Sequence, residues 1–210
     1  RSFEHEISTA ISLISRLPRI MVLAHYAKRA AFYNESMIMH RFIPGQSTSE
    51  TILSMLRPNR EFTPEEARML DIMMSLHAEH GGGNNSTFTC RVLSSADTDP
   101  YAAYAAAIGS LKGSKHGGAN HKGLAMQKEI KENVKNWEDE DEVASYIAKI
   151  VNKQAYDHTG LIYGMGHAVY TLSDPRAVIC KNFATRLAKG TEFEAELNLL
   201  KLIERLSPEV

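Results

Sequence analysis

Cysteine is scarce in this sequence. Cys90 and Cys180 are the only two in 210 residues, too few and too far apart for a disulfide scaffold. Both sit in mostly apolar or Thr-containing segments, which reads as buried free thiols in a reducing compartment. The charge excess of a nucleic-acid binder is missing too. Lys and Arg number 24 against 25 Asp and Glu, and no basic stripe is visible. No run of about 18 apolar residues occurs, which argues against a membrane span. Strand-like alternation of useful length and internal repeats are also absent. The chain begins at Arg1, without an initiator Met and without the shape of a signal or transit peptide, so a trimmed piece of a longer protein is expected.

What remains reads as helix after helix, an all-α protein. Apolar residues at helical spacing (Ile7, Ile11, Ile14, Leu17, Met21, Ala24) predict a helix from about Ile7 to Tyr33, with Pro18 as a kink. Ser47-Thr48-Ser49-Glu50 has the capping-box pattern and opens a short helix to about Leu56. Thr63-Pro64-Glu65-Glu66 is a second start signal, for a helix expected to stop near His80 because Gly81-Gly82-Gly83 cannot sustain it. The alanine-rich stretch from Tyr101 to Leu111 predicts a helix packed closely on its neighbours. Further helices are expected from about Asn120 to Asn133 and after the acidic run Glu138–Glu142. Two more are expected, one from Asp174-Pro175 to Gly190 and one after a Thr191 cap. The last has Phe193, Leu197, Leu200 and Ile203 as its apolar face.

Nine histidines are more than packing needs, and three lie in glycine-rich segments. His77-Ala78-Glu79-His80 places two histidines on one helix face ahead of Gly81–Gly83 and Asn84. A metal pair and a simple C-capping role both fit, although the three-residue spacing is not that of the usual zinc helix and no third ligand is evident. His116 lies in Gly113-Ser114-Lys115-His116-Gly117-Gly118-Ala119-Asn120, at the start of a helix. The amide end of a helix disfavours imidazolium, and a neutral imidazole can donate to a carbonyl oxygen that gains negative charge. Phosphate cradling is the rival reading, but the spacing is neither a Walker loop nor a dinucleotide fingerprint. His167 lies in Gly164-Met165-Gly166-His167-Ala168-Val169-Tyr170, and Arg176 follows in the first turn of the next helix. There the macrodipole prefers acids, so Arg176 is either a carboxylate contact or half of a structural salt bridge. Together these residues suggest a site for a small anionic carbonyl compound.

At these three segments, in this order and spacing, the chain resembles the citrate synthase family. The resemblance extends to Ser95 with Asp99-Pro100-Tyr101, to the alanine-rich helix, and to nearly the whole sequence. It implies that His80 and Asn84 bind oxaloacetate and that Arg176 pairs with one of its carboxylates. His167 would donate to the oxaloacetate carbonyl, and His116 would stabilise the enol formed from acetyl-CoA. The loop Leu161, Ile162, Tyr163, Gly164, Met165 and Gly166 would lie along CoA. No tightly bound cofactor is implied, acetyl-CoA being a co-substrate.

The resemblance also implies two domains, residues 1–116 from the larger and 117–210 from the smaller. Dimers are expected in a bacterial cytoplasm rather than a mitochondrial matrix, with the long first helix and the alanine-rich helix as candidate contacts, although core packing within one subunit explains both helices about as well. The family's aspartate base and further arginines lie downstream of the matching region, so this piece is expected to be inactive alone. Thr171 stands where a basic residue near the CoA phosphates is frequent, and Gly81 where Glu is frequent. 2-Methylcitrate synthase is the rival within the family. A non-catalytic helical module with a carboxylate-binding cleft is the rival outside it.

Overall fold

The computed structural model describes residues 2–78, 83–166, 170 and 173–210. Among these described residues there are nine α-helices and no strand. The first, α1 (Phe3–Tyr33), is opened by the Ser2 hydroxyl, which accepts the His5 N–H. It closes at Asn34 in the left-handed region, φ 55°, a conformation that Asn tolerates better than most residues. Against the expectation from uninterrupted runs, α1 is long and apolar enough to cross a membrane by length and composition alone. Its Ile, Leu and Val residues outweigh Arg16 and Arg19, which break every continuous run.

The chain divides into two compact units, one of Arg1–Gly81 with Ser94–Ala103, the other of Gly82–Leu93 with Tyr104–Val210. The border after His116 expected from the family remains a proposal about a complete enzyme. In the first unit, α1 packs on α2 (Thr48–Leu56) and α2 on α3 (Pro64–His77). The core there is small: Val22, Tyr26 and Met55, flanked by Ile38, Ile52 and Leu56. The Tyr26 hydroxyl donates to the Leu56 carbonyl, so burying the ring leaves no orphan polar group. Both expected capping boxes are present, Ser47 with Glu50 and Thr63 with Glu66. α3 ends at His77, ahead of the glycines, and the His77 Nδ1 lies 2.6 Å from the Met73 carbonyl oxygen.

In the second unit, α6 (Gly118–Asn133), α7 (Glu140–Val151) and α9 (Glu194–Leu206) enclose the main core. It is built from Met126, Ile130, Val134, Val143, Ile147, Ile150, Leu199, Ile203 and Leu206. The residues of α7 recur at intervals of three and four, which lines one helical face with β-branched side chains. Asp139 caps α7 by accepting from the Asp141 and Glu142 N–H groups. α8 (Pro175–Ala188) lies on α9, with Lys181 Nζ 2.8 Å from a Glu204 carboxylate oxygen.

Four points differ from the sequence reading. α4 (Asn85–Ser95) was not foreseen. The α9 cap is Phe193, not Thr191, and the buried face is Leu199, Ile203 and Leu206 while Phe193 is exposed. The Thr191 hydroxyl donates to the Ala188 carbonyl and accepts the Phe193 N–H at 3.3 Å, so it meets the residue before the helix and not its first turn. α5 (Pro100–Leu111) buries only Ala103 in this chain, leaving Tyr101, Tyr104, Ile108 and Leu111 exposed. Cys90 and Cys180 form no disulfide, and both are half-buried rather than buried.

Candidate functional site

The turn that carries His116 is built by close backbone approach. The His116 N–H donates to the Gly113 carbonyl at 3.0 Å, and the Gly117 N–H donates to the Leu111 carbonyl at 2.9 Å. A Cβ at Gly117 would stand 2.4 Å from that Leu111 oxygen, so no larger residue fits without moving the backbone. The reason is space, because Gly117 has an ordinary φ of −67°. α6 begins at the next residue, which places the imidazole at the amide end of a helix.

The His116 Nε2 lies 3.0 Å from Ser86 Oγ. Ser86 is in the first turn of α4. The start of that helix is set by Asn84, whose Oδ1 accepts the Thr87 N–H at 2.8 Å in capping geometry. The Asn85 side-chain amide donates to Ser110 Oγ at 3.1 Å and ties α4 to the end of α5. His116 and the Asn84 turn are therefore brought together across 30 residues of sequence. Sequence reading missed Ser86.

The second part of the site is the loop that follows α7. Lys153, Tyr156 and His158 have φ of 61°, 57° and 56°, unusual for side-chain-bearing residues, so the segment must be held. One face of α6 holds it. A Glu129 carboxylate oxygen accepts from the Tyr156 N–H at 2.8 Å and from the Tyr146 hydroxyl at 3.0 Å. The Tyr156 hydroxyl donates to the Lys122 carbonyl at 2.8 Å. Asp157 accepts from the Thr159 hydroxyl at 2.7 Å and from the Tyr163 hydroxyl at 2.6 Å. The Lys122 ammonium donates to the Tyr163 oxygen at 3.0 Å, lies 3.6 Å from Asp157, and sits 5.1 Å from the Tyr163 ring centre.

The charges follow from these contacts. Partial burial pushes the Asp157 carboxyl up, but hydrogen bonds from Thr159 and Tyr163 and the nearby Lys122 outweigh it and bring it down to about 2. The bond to Tyr163 is the main cause of a raised Lys122 pKa. Burial, then Glu129, pushes the Tyr146 phenol up to about 12.

Within 161–166, the Met165 N–H donates to the Ile162 carbonyl at 3.1 Å and closes a turn. Gly164, its third residue, has φ 93°, the conformation for which such turns select glycine. Ile162 and Tyr163 pack against the main core, while Leu161 is exposed.

Arg176 is in the first turn of α8, where its N–H is capped by Asp174 Oδ1 at 2.9 Å. Its guanidinium grips the same carboxylate, Nε to Oδ1 at 3.0 Å and a terminal nitrogen to Oδ2 at 2.5 Å. The salt bridge is therefore present. His80, His167 and Thr171 lie outside the described residues. Among the described residues, no three His, Cys, Asp or Glu side chains cluster as metal ligands would.

Residues 2–210 match the family model described as "Citrate synthase, C-terminal domain". A citrate synthase of Synechocystis is 40% identical over 150 residues, covering 69% of this chain and 34% of that protein. A 2-methylcitrate synthase of Shewanella oneidensis is 37% identical over 121 residues, 58% of this chain and 29% of that protein. The crystal structure of citrate synthase from Thermotoga maritima superposes with a TM-score of 0.63 at 27% identity, over 89% of this chain and 46% of that one. The chain spans less than half the length of the relatives it matches.

Proposed function

This chain belongs to the citrate synthase family, and from that premise we propose that the whole protein condenses acetyl-CoA with oxaloacetate and water to give citrate and CoA. The observation that carries the reading is the placement of His116 at the amide end of α6, with Nε2 against Ser86 and beside the Asn84 turn.

A thioester methyl group is a weak acid, so enolisation requires a base to take its proton, the role of the family's aspartate downstream of the matching region, and a donor aimed at the carbonyl oxygen. In this reading Ser86 donates to Nε2 of a neutral His116. Nδ1 then carries the hydrogen and donates to the thioester oxygen as it becomes an enolate. His80, Asn84 and Arg176 bind oxaloacetate. His167 donates to its keto oxygen and makes that carbon more electrophilic. Attack by the enol forms the carbon–carbon bond, and water then cleaves the thioester. The loop 161–166 receives CoA, which is a co-substrate and not a resident cofactor.

The protein is proposed to act as a homodimer in a bacterial cytoplasm, in keeping with the apolar residues exposed on α1 and α5 and with the bacterial relatives. The similarity to a 2-methylcitrate synthase supports propionyl-CoA as the second reading. One methyl group is worth only about 1–3 kcal/mol of discrimination, so the motifs do not separate the two. Initial rates of the whole protein with each thioester decide between them. His116→Ala is expected to lower kcat by roughly 100-fold or more, with oxaloacetate affinity by calorimetry changed less than about twofold. Equal losses in both would reject the role given to His116.

A further inference from the structure

We infer that Lys122 is a positioning residue for the acyl-CoA loop, fastening Tyr163 and Asp157 to the helix that begins at the His116 turn. The inference rests on the reading of 161–166 as the CoA loop.

A loop that recognises a nucleotide through backbone groups must have its backbone set before the ligand arrives, or binding loses free energy in ordering it. The segment 161–166 has no regular structure of its own and includes two residues in the left-handed region, Gly164 at φ 93° and Gly166 at φ 77°. It is held where Ile162 and Tyr163 pack on the core and where the Tyr163 hydroxyl is fastened. That hydroxyl is fully engaged within the chain, accepting from Lys122 at 3.0 Å and donating to Asp157 at 2.6 Å. Tyr163 therefore acts on the loop from behind, through its ring and hydroxyl, and leaves recognition to the backbone around it.

Asp157 extends the fastening upstream through Thr159, whose hydroxyl also accepts the Leu161 N–H at 3.3 Å. Lys122 sits in the first turns of α6, six residues after His116. The helix that begins at the His116 turn thus also carries the fastening of the proposed CoA loop. The Lys122 side chain is 46% exposed, and an exposed ion pair contributes little to stability. A role in placement and a role in stability therefore predict different outcomes.

In the whole protein, Lys122→Met is expected to raise KM for acetyl-CoA roughly 5- to 10-fold. Values of kcat and of KM for oxaloacetate should stay within about twofold, and the melting temperature should be nearly unchanged. Tyr163→Phe keeps the ring and the Lys122 charge and should raise the same KM. Lys122→Arg should restore most of the loss. The inference is overturned if KM for acetyl-CoA is unchanged in both variants. It is equally overturned if Lys122→Met alone raises it and the effect vanishes with dephospho-CoA, because that marks a direct phosphate contact. Calorimetry with CoA separates the two levels of the argument. If the unsubstituted protein does not bind CoA, the function proposed above falls and takes this inference with it. If CoA binds and the variants bind it equally well, only the inference falls.

Discussion

His116 and Arg176 show how differently single residues can be read. Glycines on both sides of His116 marked it in the sequence, and the structure gives the physical reason: the Leu111 carbonyl occupies the space a side chain at 117 would need. Its partner Ser86 was not legible, because a serine in a polar stretch has no signature until the chain folds it against an imidazole 30 residues away. If that contact sets the tautomer, Ser86→Ala should lower kcat about 2- to 10-fold. That range corresponds to the roughly 0.5–1.5 kcal/mol net value of one hydrogen bond. Oxaloacetate binding and the far-ultraviolet circular dichroism should not change. A kcat equal to wild type would mean His116 is oriented by something else. For Arg176 the sequence left ligand contact and salt bridge equally open. The fork onto Asp174 shows that the salt bridge forms.

At the scale of elements, helix starts were the most legible feature. Ser47, Thr63, Asp139 and Asp174 all cap where a short polar side chain precedes helical spacing. Thr191 lies too early to cap: its hydroxyl accepts the Phe193 N–H at 3.3 Å and donates to Ala188, and the helix begins at Glu194 without a side-chain cap. α4 escaped notice because Asn85–Ser95 is rich in Ser and Thr and has no strong apolar period. The α2–α3 connection carries a pH-dependent contribution. Arg57 grips Glu66 through a contact of 2.5 Å and the Thr63 N–H adds to it, so the Glu66 carboxyl falls from 4.5 to about 2. A lowered carboxyl pKa stabilises the fold above its ordinary value and loses that effect as pH falls toward about 2. Glu66→Gln keeps the shape of the capping box but removes the charge. Its melting temperature should lie below wild type at pH 7 and converge with it between about pH 5 and 2, as read by calorimetry. A gap that stays constant with pH would show that charge is not the cause.

For the molecule as a whole, the apolar side chains fall into two groups with different fates. Val143, Ile147 and Ile150 of α7 and Leu199 and Ile203 of α9 are buried together. Phe3, Ile7, Ile11 and Ile14 of α1 have the same helical spacing, yet they stay exposed, Ile11 at 61%. If α1 forms the proposed dimer contact, Ile11→Glu with Ile14→Glu should convert the whole protein to monomers in sedimentation velocity, and an unchanged sedimentation coefficient would exclude α1. Much of this could be read before any coordinates: the all-helical class, most helix starts, the glycine-bounded histidine and the family. Each of these is written locally, in spacing, caps and short motifs. Which apolar face becomes core, which serine meets His116, and which lysine clasps the loop depend on residues far apart in the chain. Such pairings exist only once burial of α6, α7 and α9 has brought those segments together, because neither partner's local sequence encodes where the other will be.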